Sequence, residues 1–235
     1  MKITTISHMV LKEYKKHFLF SISMFIILDF IYINFVGLSI NRTNAYMYWI
    51  GGYENIQYTF ATALLKISNI ALIFLTIGRV VEKTAEDIMV YILPRVGSYG
   101  KFIRKFTFAI LMFGIMMILC SHIIYYLLAG ILLSKLKIVF LYFVFDIIGF
   151  VGIILLYMIL NNVYQLENSL LYIIGFYVVN TILPFPMLIA TSTIQFIKLK
   201  NQIGIVFPII AVIVIDILLF CCYRYFIKKR SVIIC

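Results

Sequence analysis

Residues 79–106 read RVVEKTAEDIMVYILPRVGSYGKFIRKF, the longest polar interval in a chain that is otherwise almost continuously apolar. Apolar runs of membrane-spanning length stand on both sides of it, so its reading decides how the chain is threaded. Val81, Ala85, Ile88 and Ile92 recur at steps of four, three and four, which lines them along one side of a short helix, while Glu82, Lys83, Glu86 and Asp87 take the other sides. Pro94 ends that helix, Gly97 and Gly100 supply a turn, and Lys101, Arg104 and Lys105 open the next run as basic anchors. A plain connector between two spans needs only about four residues. An interval built from an amphipathic helix, a proline stop and a glycine turn reads instead as a place where something docks.

Composition fixes the solvent. Of the 235 residues, 64% are hydrophobic and 12% charged, whereas charged residues approach a quarter of an ordinary soluble domain. A hydrocarbon core of roughly 30 Å takes about 20 helical residues. Six runs come to that length: 18–40, 60–78, 106–133, 138–160, 170–193 and 203–223. The expected fold is therefore an all-α polytopic membrane protein with six transmembrane helices in residues 18–223. Residues 1–17 precede them and a basic tail, 224–235, follows.

The net charge of +11 does not point to nucleic acid, because the positive residues sit at the ends of apolar runs and not on a folded basic face. With the N-terminus in the cytoplasm, fourteen of the 20 Lys and Arg fall inside: Lys2, Lys12, Lys15, Lys16, Arg79, Lys83, Arg95, Lys101, Arg104, Lys105, Arg224, Lys228, Lys229 and Arg230. Arg42, Lys66, Lys135, Lys137, Lys198 and Lys200 fall toward the outside. Both termini are thus expected to be cytoplasmic. The first run is long, carries Asp29 and lacks a small-residue cleavage site, so it reads as a retained anchor. Heavy use of Ile, Phe, Tyr, Lys and Asn suits an AT-rich bacterial genome and places the chain in a bacterial plasma membrane.

Residues 1–17 carry a stripe of their own. Ile3, Ile6, Val10, Tyr14 and Phe18 recur at helical steps with Lys2, Lys12, Glu13, Lys15 and Lys16 mostly off the stripe. Residues 1–17 are expected to form an interfacial amphipathic helix along the inner membrane surface, with a plain polybasic flank of the first span as the alternative. The first outer loop is rich in Tyr and holds Trp49, as an aromatic belt at the headgroup layer would. Cys120, Cys221, Cys222 and Cys235 show neither metal nor redox spacing.

Polar residues inside the runs each need a partner or a wet surface. Asp29, Asp146 and Asp216 are the acids, with Asn34, Asn69, His122 and Asn180 beside them in sequence terms. Asp29, Asp146, Asn180 and Asp216 are candidates for a translocation path, and each fits equally a hydrogen bond within the bundle. Pro184 and Pro186 interrupt the fifth run and Pro208 the sixth, which fits either a broken helical element on the outer face or a simple kink. The chain has no GxxxxGK[ST] phosphate loop and no His-Glu-x-x-His zinc motif, and no catalytic constellation stands out.

The helix 81–93 followed by YILPRVGSYGKFIRKF resembles the ABC-2 type permeases, the membrane subunits of ATP-driven exporters. The resemblance covers nearly the whole chain as topology, through a degenerate local motif. It implies a cytoplasmic coupling helix between spans two and three, carried here by Val81, Glu82, Ala85, Ile88 and Ile92, that seats in a cytoplasmic ATPase subunit. It also implies a second permease subunit, identical or related, with ATP and magnesium bound by the ATPase and no cofactor in this chain. Small members are similar to exporters of bacteriocin-like or modified peptides, so the expected cargo is peptide-like. A membrane immunity or sensor protein that binds such a peptide without transport, and an ion-coupled secondary transporter using the intramembrane acids, are the rival readings.

Overall fold

The computed structural model describes residues 15–40, 56–83, 99–130, 136–164, 166–182 and 206–234. All regular structure among them is helical, in six elements: α1 Lys15–Ile40, α2 Ile56–Lys83, α3 Tyr99–Ala129, α4 Leu136–Val163, α5 Leu166–Ile182 and α6 Val206–Ile234. Helices are what hydrocarbon permits, because each backbone donor and acceptor finds its partner inside its own segment. Each element overlays one of the six apolar runs.

Four of the helices contain stretches long and apolar enough to cross a membrane: His17–Phe35, Arg104–Ala129, Phe143–Asn161 and Ile209–Phe226. That is fewer than the six expected. The described apolar stretch of α2 is Ile67–Arg79, bounded by Lys66 and by Arg79 itself. The fifth helix has 17 residues, about 26 Å at about 1.5 Å per residue. Its last residue, Ile182, stands two before Pro184, where the ring removes an amide donor.

Other boundaries also differ from expectation. Gly100, expected in a turn, lies in the first turn of α3, and its carbonyl accepts a hydrogen bond from Arg104 Nε at 3.3 Å. The tail continues α6 as helix to Ile234 instead of forming a separate element. Pro208 falls in the first turn of α6, where a missing N–H breaks no helical bond, so it requires no kink. Gly130 follows the end of α3 with φ of 61°, a left-handed cap that glycine adopts without strain. Residues 1–14, and with them most of the expected interfacial helix, lie outside the described residues.

The packing order follows from what each helix covers. Half of the residues in the apolar stretches of α3 and α4 are buried, against 28% in α1 and 11% in α6, so α3 and α4 form the centre. The first helix packs on α2 and α3, α5 on α2 and α4, and α6 on α4 and α3. Large side chains fill the middle: Phe74 of α2 lies 5.4 Å from Phe150 and 5.2 Å from Tyr157 of α4, both tilted. Outward faces such as Phe30, Phe35, Leu127 and Ile217 are exposed, as lipid-facing positions should be.

Gly114 marks a close approach of helices. A Cβ there would collide with Ile154 Cδ1 of α4 and stand 3.3 Å from Ile77 Cδ1 of α2 and 3.4 Å from Phe150 Cε1. Three helices meet at a position where a methyl fits only if the end of the Ile154 side chain moves. Gly114→Ala should be mild, because the end of the Ile154 side chain can turn away. Gly114→Leu has no such escape and should destabilise the bundle by about 1–3 kcal/mol, read as a lowered thermal unfolding midpoint in lipid or detergent. Equal tolerance of both substitutions would contradict the close approach.

Candidate functional site

Buried polar side chains pair across the helices at successive depths. On α1 and α2, Ser21 Oγ lies 2.7 Å from Thr76 Oγ1. Thr76 gives its own proton to the Leu72 carbonyl at 2.9 Å, so Ser21 is the donor between them. Two turns further along α1, Asp29 Oδ1 accepts from Asn69 Nδ2 at 3.2 Å, and Asn69 stands two turns earlier on α2. The opposed stepping makes α1 and α2 an antiparallel pair with a fixed register. All four side chains are buried, and Asp29 is 0% exposed.

The central helices repeat the device. His122 Nε2 of α3 lies 2.9 Å from Asp146 Oδ2 of α4. A carboxylate oxygen only accepts, so Nε2 carries the proton. The imidazole also packs edge-on against Phe143, with ring centroids 5.3 Å apart. Near the start of α3, Thr107 Oγ1 lies 2.9 Å from Tyr223 OH of α6, a buried link between the central pair and the peripheral helix.

Two aromatic contacts set the relative depth. Phe18 meets Phe113 and Tyr32 meets Tyr125, each with centroids 6.1 Å apart, so α1 and α3 run parallel. Asp29 stands one turn before Tyr32, and His122 one turn before Tyr125. The Asp29–Asn69 and His122–Asp146 pairs therefore occupy one level of the bundle, about two turns, roughly 11 Å, beyond the level of Gly114. That layer is the candidate site.

Of the expected path residues, Asp29, Asp146 and Asp216 lie on three different helices, α1, α4 and α6. Asp29 is enclosed in the α1–α2 seam, and Asp146 is engaged with His122. Asp216 lies half-buried on α6, and its Oδ1 has no hydrogen-bond partner among the described residues. Asn180 belongs to α5, but its side chain lies outside the described residues, as do Ala85, Ile88, Ile92, Pro184 and Pro186. Val81 is in the last turn of α2 and packs against the bundle core, so the first residue of the expected stripe belongs to the second helix. Glu82 continues that turn. Asn34 is satisfied locally, giving its amide proton to the Phe30 carbonyl at 2.9 Å. Among the described residues, no group of three or more His, Cys, Asp or Glu is gathered to hold a metal.

Ser21, Thr76, Thr107 and Tyr223 were not candidates from sequence. A hydroxyl in an apolar run is unremarkable because it can back-bond its own helix, as Ser23 does to the Leu19 carbonyl at 2.9 Å. The available signal was spacing: Ser21 and Asp29 share one stripe of α1, and Asn69 and Thr76 share one stripe of α2.

Comparison with family models, with curated proteins and with solved structures finds no match. The fold and composition define the class: an α-helical, membrane-embedded protein.

The His122–Asp146 pair can be weighed by a double-mutant cycle. His122→Leu leaves a carboxylate in the bundle without its donor and should destabilise more than Asp146→Leu. The double substitution should be less harmful than the two single effects added, with a coupling of about 1–2 kcal/mol, measured by reversible unfolding in mixed micelles. Strictly additive effects would dissolve the pair.

Proposed function

We propose that the chain is the membrane-spanning permease subunit of an ATP-driven exporter, with ATP and magnesium on a separate cytoplasmic ATPase and a peptide-like amphipathic cargo. Six crossings in a bacterial plasma membrane, with both termini in the cytoplasm, belong to this reading. So does a second permease subunit, because six spans alone rarely enclose a pathway for a peptide.

The observation that carries the reading is the interval between α2 and α3. The second helix runs 28 residues, about 42 Å at about 1.5 Å per residue, which exceeds a hydrocarbon core of roughly 30 Å. One end therefore reaches past the membrane, and the amphipathic residues Ala85, Ile88 and Ile92 follow it directly. Val81 ties that end to the bundle core, and beyond the interval Thr107 ties α3 to α6 through Tyr223. A load applied between residues 83 and 99 thus bears on two helices that both lock into the core. Closure of an ATPase on ATP would bias the bundle between its two access states by that route. The sixth helix, whose apolar stretch is the least buried of the four long ones, suits a face toward the second subunit.

Ile88→Asp tests the proposal. An apolar anchor in a protein groove commonly contributes about 2 kcal/mol or more, and the substitution would bury an unpaired charge there. The variant should insert and fold normally, lose the ATPase in a pull-down from membranes, and lose ATP-dependent export, while Ile88→Leu changes little. Full ATPase retention and transport with Ile88→Asp would sink the coupling role. A membrane protein that purifies with no ATPase at all would favour the immunity or sensor reading.

A further inference from the structure

The mid-membrane pair on α1 and α2 leaves two particular atoms unaccounted for. Asn69 Nδ2 donates to Asp29 Oδ1 at 3.2 Å. The other oxygen of each group, Asp29 Oδ2 and Asn69 Oδ1, is buried and has no hydrogen-bond partner among the described residues. Both residues are more than nine-tenths buried, at 0% and 4% exposure. Neither oxygen has a donor among the described residues, and one proton held between them would satisfy both. A carboxylic acid and a carboxamide meeting edge to edge form a ring of two hydrogen bonds, N–H to the acid carbonyl and O–H to the amide carbonyl. Here the first bond is present, and a proton on Oδ2 would supply the second, to Asn69 Oδ1.

We propose that Asp29 and Asn69 together form a one-proton binding site, in which neutral Asp29 closes a cyclic acid–amide pair that holds α1 against α2 in the middle of the membrane. The ligand is a hydrogen ion, taken from water and returned to it without any change of oxidation state. Proton loss leaves a carboxylate with a single neutral donor in a site closed to water, an expensive arrangement in a bilayer. The proton therefore leaves when α1 parts from α2 and water enters, so opening of the seam and proton release are one event. Ser21 and Thr76, two turns away on the same two helices, hold the seam without a titratable group. The site acts independently of whether an ATPase drives the bundle.

The surrounding groups are compatible with a neutral acid. His122 of α3 stands at the same level, and its Nε2 is occupied by Asp146. Tyr32 on α1 and Tyr125 on α3 lie one turn further on and contact each other. Lys66 is on α2, one turn from Asn69 along the backbone. As the cation nearest to that pair in sequence, it is removed in one arm of the test.

Infrared spectroscopy of the full-length protein in lipid nanodiscs reads the proton directly, as the carbonyl stretch of a protonated carboxyl group above the amide I region. With heavy-carbon-labelled aspartate the expected spectrum at neutral pH contains an acid band that moves with the label and is lost in Asp29→Asn. Asn69→Leu removes the donor to the acid carbonyl, so the band should persist and shift to higher frequency. Asp29→Asn should fold as well as the parent, because an amide–amide pair rebuilds the same ring. If it does not fold, the assignment comes from Asp87→Asn, Asp146→Asn and Asp216→Asn, in each of which the band must survive. Absence of an Asp29 band at neutral pH, or its appearance only in Lys66→Met, would overturn the proposal.

Discussion

A polar side chain in hydrocarbon has no water to fall back on, so it must find its partner in the protein or leave the membrane. In this chain that constraint does the work that a hydrophobic gradient performs in a soluble domain. Lipid tails are as apolar as the Phe, Ile and Leu that dominate these helices, and burying one more of them does little to choose between neighbours. The hydrogen bonds from Ser21 to Thr76, from Asn69 to Asp29 and from His122 to Asp146 do choose. Each ties a residue on one helix to a single depth on another. Individually such bonds contribute modestly, averaging about 0.6 kcal/mol in a membrane bundle. A helix rotated or slipped by one turn would strand every one of its polar groups together, and that collective penalty sets the register.

Once the register is fixed, the close packing follows. Gly114 can sit against Ile77, Phe150 and Ile154 only when α2, α3 and α4 hold these relative heights. The aromatic cluster of Phe74, Phe150 and Tyr157 then fills the space between α2 and α4. The peripheral helix α6 is held differently, by its packing on α4 and by the Thr107–Tyr223 link near the start of α3. Its apolar stretch is the least buried of the four long ones, yet its packing on α4 is the most extensive between any two helices.

The helices were legible in the sequence because membrane thickness imposes a run length that no local detail can hide. Each of the six runs became a helix, with ends displaced where local chemistry outranked hydropathy: α3 starts before its apolar run with Gly100 in its first turn, and α6 carries its basic residues on as helix. The acids of the candidate layer were legible one by one, since Asp29 and Asp146 stand out among apolar neighbours. Their pairing was not. Which helix faces which is a property of the assembled bundle, and nothing in the neighbourhood of Asp29 names Asn69, forty positions on. Val81, which opens the expected amphipathic stripe, lies within α2 and packs against the core, while the rest of that stripe lies outside the described residues.

The account rests on the register of α1 against α2, which the buried polar layer requires and the proposed route from the interval after α2 uses. Disulfide cross-linking in native membranes measures that register directly. In a chain freed of its own cysteines, Ser21→Cys with Thr76→Cys should cross-link rapidly under mild oxidation, because the two hydroxyl oxygens lie 2.7 Å apart. Ser21→Cys with Asn69→Cys, two turns out of step and so about 11 Å further along, should not. Efficient cross-linking of the second pair, or none of the first in a chain that inserts normally, would contradict the register and the layer built on it.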